Sequence, residues 1–129
     1  LLTTGRILSQ YNVGAQTRRT PNNQWHDEDR LEIHAHDAEE RGIADGDWVG
    51  IASRAGQTVQ RARVTDRMAP GVVWTTFHFP EHLVNNVTGP GCDADTLCPE
   101  YKVVAADVEK VPAKKRKGMM KLEMEEVAV

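Results

Sequence analysis

The stretch Leu31–Ser53, LEIHAHDAEERGIADGDWVGIAS, holds a strand, a short helix, a tight turn and a second strand in close succession. Leu31 to His36 alternates apolar and polar residues, the pattern of a half-buried strand. Asp37 is expected to cap a short helix through Ala38, Glu39, Glu40 and Arg41, with Gly42 as its stop. Asp45-Gly46-Asp47 predicts a turn, and Trp48 to Ser53 the next strand.

Outward from this centre the chain stays rich in strands. Ala55-Gly56-Gln57 turns it, and Thr58 to Thr65 returns with Val59, Ala62 and Val64 as inward positions. Pro70-Gly71 marks another turn. Val72 to Phe79, full of β-branched and aromatic residues, is the strongest strand candidate. Tyr101 to Val111 is the last, with Val103, Ala105 and Val108 apolar, and Leu1 to Leu8 reads as a first strand broken at Gly5. Periodicity alone gives a mainly β barrel or sandwich. Two irregular stretches, Ser9 to Asp29 and Pro80 to Pro99, are long enough to predict functional loops. Residues 1–111 form the expected domain, and 112–129 a tail of mixed charge with room for one short amphipathic helix.

Composition excludes several classes. Hydrophobic residues are 40% and charged residues 27%, an ordinary globular balance. The net charge of -3 does not favour nucleic acid, and the basic groups Arg18-Arg19 and Lys114–Lys117 are small. No apolar run spans a bilayer. The first residues do not read as a signal peptide, and with Leu at position 1 the chain is expected to be a piece of a longer polypeptide. Cys92 and Cys98 lack metal or redox spacing and are expected to be reduced thiols.

The first loop carries the chemistry. Thr4, Gly5 and Arg6 follow a strand directly; Gly5 permits close backbone approach, Thr4 and Ser9 offer hydroxyls, and Arg6 offers a guanidinium fork. Together they suit an anionic or nucleotide ligand, the competing reading being an ordinary glycine turn. His78 and Asn85 can read donor and acceptor edges of a heterocycle, and Phe77 can supply an apolar wall. Read without further context, His78 is a strand-end histidine bound to backbone. His34 with His36, and His78 with His82, invite a zinc reading, but nothing else has ligand spacing, so no protein-held metal is expected. Glu39-Glu40 and Asp45 with Asp47 read as a helix face and a turn, and Ser9 and Ser53 lack a nucleophile elbow. No catalytic residue is assigned.

The run Thr3–Arg19, TTGRILSQYNVGAQTRR, resembles the start of the C-terminal cofactor-binding domain of molybdopterin oxidoreductases, formate dehydrogenase alpha subunits in particular. Asn85 with Thr88 is similar to the family's Asn-x-Leu-Thr motif, and Pro99-Glu100-Tyr101-Lys102 to its last motif. The resemblance implies a double-psi β-barrel with short helices and long cofactor-binding loops. It implies that Thr4, Gly5, Arg6, Gln10, Tyr11, Asn12, Thr17, Arg18, Phe77, His78, Asn85, Tyr101 and Lys102 contact a molybdopterin guanine dinucleotide. In the parent enzyme, two such dinucleotides would hold molybdenum or tungsten, with the metal ligand and any iron–sulfur clusters in other domains. Formate oxidation is the implied activity, nitrate reduction the alternative, and the isolated piece should not turn over. Expected partners are the remaining domains of the alpha subunit and electron-transfer subunits, in the cytoplasm, without nucleic acid or membrane insertion. A nucleic-acid-binding barrel or an assembly module is the competing class.

Overall fold

A computed structural model describes residues 1–9, 14, 16–79, 81, 84–88, 92, 94–96 and 102–112. The tail beyond 112, and with it the expected helix, lies outside the described residues, as do Cys98 and His82.

The fold is mainly β. The strands are β1 (Leu2–Gly5), β2 (Arg30–Ile33), β3 (Trp48–Ala52), β4 (Gln57–Val64), β5 (Val73–Thr76) and β6 (Asp107–Lys110). Among the described residues one short α-helix, α1 (Ala35–Glu40), follows β2. They form a six-stranded sheet in the order β1-β5-β2-β4-β3-β6. β1 runs parallel to β5 and β2 parallel to β4, while β2–β5, β3–β4 and β3–β6 are antiparallel. The sheet does not end in two open edges. Just ahead of β6, Val104 exchanges both backbone hydrogen bonds with Leu2, at 2.8 and 3.0 Å. One segment thus joins β1 to β3, and edge amides that would otherwise invite another chain are paired.

Leu2, Leu31, Val49, Ile51, Val59 and Ala62 are fully buried in the core. Burial of a side chain of this kind contributes about 1.5–3 kcal/mol. The interior is also polar in places: Thr58, Gln60 and Thr75 are fully buried, and the Thr75 hydroxyl donates to Gln60 Oε1 at 2.6 Å.

Several sequence expectations change. β1 ends at Gly5, and Leu8 is fully exposed. Among its described residues the first loop holds 3-10 turns at Thr17–Arg19 and Pro21–Gln24, the latter capped by Thr20. β2 does not alternate: Leu31, Glu32 and Ile33 are all buried, with Glu32 in register between Trp74 of β5 and Arg63 of β4. Asp37 does not cap the helix. His34 does, its Nδ1 accepting from His36 N at 3.1 Å. Asp37 lies inside the first turn and accepts the Gly71 amide at 2.6 Å, tying α1 to the turn before β5. Gly71 has φ of 83°, a conformation that suits glycine. The last strand is shorter than Tyr101–Val111, and Val104 and Val108 face inward while Val103 and Ala105 are exposed.

Candidate functional site

The site is built where β1 and β5 end. Their parallel register, Leu2 with Val73 through Gly5 with Thr76, delivers both strands' C-terminal ends side by side. The next residues are Arg6 and Phe77, and the Arg6 guanidinium lies over the Phe77 ring, 5.3 Å from its centroid. The exposed Lys102 reaches the same place from the C-terminal segment, its Nζ donating to Thr4 O at 2.6 Å. Thr4 is buried. Gly5 is needed sterically: a Cβ there would stand 2.4 Å from Trp74 Nε1. Thr4, Gly5, Arg6, Phe77 and Lys102 are therefore brought together from three separated parts of the chain.

His78 lies beside Phe77, ring centroids 5.0 Å apart, but is fully buried. Its Nε2 accepts the Ile7 amide at 3.1 Å. Behind it stands Asp29, a residue without any signal of its own in the sequence analysis. Asp29 is fully buried and accepts from His78 N at 3.1 Å, Phe79 N at 2.9 Å and the Thr76 hydroxyl. These amides leave the sheet ladder for the carboxylate, which is why β5 stops at Thr76. Burial raises the Asp29 pKa from its ordinary value, against the hydrogen bonds, which lower it. A carboxylate in a polar run (His26 to Asp29) carries no periodic signal; only its partners identify it.

The other expected contacts separate into groups. Arg18 forms a 2.6 Å ion pair with Glu81 and lies 5.0 Å over the Phe79 ring, joining the first loop to the second. Thr17 begins the turn that carries Arg18. Asn85 sits exposed in a 3-10 turn, Val84–Asn86, its carbonyl accepting the Thr88 hydroxyl at 3.0 Å. That turn is held against the β3–β4 hairpin, where Ser53 Oγ donates to Val87 O at 2.6 Å. Gln10, Tyr11, Asn12 and Tyr101 lie outside the described residues.

The remaining chemistry-bearing groups serve the fold. Ser9 Oγ meets His26 Nδ1 at 3.2 Å, linking the two ends of the first loop. His36 lies 3.3 Å from Glu40. Among the described residues no group of three or more metal-ligating side chains converges. A cavity of about 400 Å³, lined by Trp25, His26, Glu28, Arg30, Asp45 and Arg63 among others, lies apart from Arg6, Phe77 and Lys102. Its arginines have acidic neighbours: Arg30 lies 2.9 Å from Glu28 and Arg63 3.9 Å from Glu32. Opposed charges at these distances do not build a basic stripe for nucleic acid. Among the described residues no helix is long and apolar enough to cross a membrane.

Known proteins resemble this chain in sequence and in fold. The family model described as "Molydopterin dinucleotide binding domain" matches residues 1–105. F420-dependent formate dehydrogenase 1 subunit alpha of Methanococcus maripaludis is 42% identical over 111 residues, covering 85% of this chain and 16% of the relative. The corresponding alpha subunit of Methanocaldococcus jannaschii is 38% identical over 112 residues, covering 86% of this chain and 17% of the relative. A nitrate reductase of Symbiobacterium thermophilum is 40% identical over 114 residues, covering 84% of this chain and 15% of the relative. The chain thus spans about a sixth of the length of the relatives it matches. Acetylene hydratase from Pelobacter acetylenicus shares the fold, with a TM-score of 0.73 at 14% identity over 85% of this chain and 18% of that one. With the family model covering residues 1–105, the chain belongs to the molybdopterin dinucleotide-binding domain family.

Proposed function

We propose that this chain holds the guanine dinucleotide form of molybdopterin for a formate dehydrogenase. The observation that carries this reading is the meeting of Arg6, Phe77 and Lys102 at the paired ends of β1 and β5. The donor set fits the group: a guanidinium and an ammonium suit a pyrophosphate, and an aromatic wall suits a flat heterocycle. Arg6 and Lys102 bind and orient, while Gly5 gives the Trp74 indole room beside the end of β1. When bound, the cofactor, with molybdenum or tungsten, supplies the redox chemistry. The residues described here contribute position and charge, and turnover belongs to the longer polypeptide. The double-psi form of the barrel is part of the same reading, supported by the parallel β1–β5 and β2–β4 pairs and by the closure through Val104.

Formate as substrate rests on the formate dehydrogenase relatives at 42% and 38% identity. The nitrate reductase at 40% favours a second reading with the same cofactor site. Assaying the longer polypeptide with formate and with nitrate separates them. The remaining domains of that polypeptide and electron-transfer subunits are the proposed partners, in the cytoplasm.

The binding reading is tested by titrating GDP into the chain and following backbone amide shifts. Shifts centred on Thr4 to Ile7, Asn85 and Lys102 are expected. Shifts confined to Arg19 and Lys114–Lys117 would mean non-specific phosphate attraction and would overturn it.

A further inference from the structure

We propose that Asp29 and His78 form an internal brace that positions the Gly5–Ile7 backbone for the dinucleotide, with His78 serving the site from behind instead of touching the ligand. The proposal rests on the dinucleotide reading above.

Three observations carry it. His78 is fully buried, so its ring edges are covered by protein. Its Nε2 accepts the Ile7 amide at 3.1 Å, directly after Gly5 and Arg6. Its own amide, with that of Phe79 and the Thr76 hydroxyl, is held by Asp29. Asp29 closes the first loop and Ile7 opens it, so both ends of that loop are fastened to the same histidine. A mobile Gly5–Ile7 backbone would have to be ordered when a ligand binds; one fastened at Ile7 has already met that cost.

The chemistry at each link is specific. An imidazole nitrogen that accepts an amide N–H carries no proton of its own, so the neutral ring has its proton on Nδ1. A carboxylate is acceptor-only and serves amide donors at both oxygens. Asn offers one carbonyl oxygen, so Asp29→Asn turns an NH₂ toward either the His78 or the Phe79 amide. His78→Phe keeps an aromatic ring and removes the acceptor for Ile7. Asp29 and His78 are thus positioning residues, acting on the ligand through the Gly5–Ile7 backbone.

The test uses the 129-residue chain and its Asp29→Asn and His78→Phe variants. Ring ¹⁵N spectra read His78, amide hydrogen exchange reads Ile7, and GDP is the ligand probe. In the wild type, Nε2 should show the unprotonated acceptor signature and the Ile7 amide should be protected. Both variants should exchange Ile7 about tenfold faster and bind GDP about tenfold more weakly, roughly the loss of one hydrogen bond. Asp29→Asn should also lose the Nε2 signature, while Val49, Ile51 and Val59 amides stay protected in both variants. If Asp29→Asn fails to fold, His78→Phe alone decides through Ile7. An Ile7 amide as protected in the variants as in the wild type overturns the brace. Unchanged GDP affinity alongside a released Ile7 overturns its role toward the ligand. A wild type that shows no shift with GDP, yet has the expected Ile7 and His78 signals, overturns the dinucleotide reading and leaves the brace standing.

Discussion

The carboxylate of Asp29 and the amide of Phe79, fifty residues apart, meet at 2.9 Å in the interior. Removing the carboxylate strands buried backbone donors that have left the sheet. Asp29→Ala should therefore lower stability by about 3 kcal/mol, read by equilibrium denaturation. A loss within experimental error would mean that water or neighbouring groups take over these donors.

The same residue sets an unusual pH dependence. Burial outweighs the hydrogen bonds and raises the Asp29 pKa above the ordinary 3.8. The folded state then holds this proton more tightly than the unfolded chain. The contribution is full below 3.8 and is lost as pH rises through the folded value. Melting temperatures of wild type and Asp29→Asn should show the wild type losing ground relative to the variant over that window. A wild type that gains ground there would show a lowered pKa.

Asp47 should behave in the opposite sense. Its Oδ2 accepts the Ala44 amide at 2.9 Å and lies 3.1 Å from Lys110 Nζ, and these contacts lower its pKa below 3.8. Its contribution is present above 3.8 and is lost as pH falls through the lowered value. The pair is accessible to solvent, so Asp47→Asn should cost under about 1 kcal/mol at neutral pH. The difference between variant and wild type should vanish in acid, as thermal melts at both pH values would show.

Gly5→Ala should strain the start of the site. The new methyl would lie 2.4 Å from Trp74 Nε1, against a rigid indole. A destabilisation of about 1–3 kcal/mol is expected from such overpacking. Trp74→Val in the same chain should remove most of the added cost, and a double-mutant cycle without coupling would place the strain elsewhere.

Arg6→Ala and Lys102→Ala should weaken dinucleotide binding by about tenfold or more, the scale of a hydrogen bond to a charged group. Arg6 is exposed, so its removal should change the melting temperature little, while Lys102→Ala also loses the bond to Thr4 O and should cost about 1 kcal/mol. Loss of folding in both variants would make these residues structural.

Local chemistry made much of this molecule legible. Asp45-Gly46-Asp47 and Pro70-Gly71 turn the chain as their residue types predict, with Gly46 and Gly71 at φ of 83°. Val59 and Ala62 are fully buried as expected, although at this odd spacing they lie on opposite faces of β4. Arg6, Phe77 and Lys102 were singled out by residue type after two strands and by an order of motifs that resembles a known family, and the fold brings the three together. The Asp37 cap failed because a carboxylate near a helix start can bond a distant amide as readily as a local one, and Gly71 offered one. The last strand was expected from Tyr101 to Val111, but the strand paired with β3 is Asp107–Lys110, because an apolar stretch does not say where a partner strand begins and ends.

Turn residues, strand propensity, one short helix and the composition of the first loop are set by neighbours along the chain. Contacts across tens of residues come from the fold alone. Those are the parallel pairing of β1 with β5, the closure through Leu2 and Val104, and the burial of Asp29 under His78 and Phe79. The physical reason is that a hydrogen bond needs only a donor and an acceptor brought within reach. Residue type announces the capacity to bond, while the fold chooses the partner.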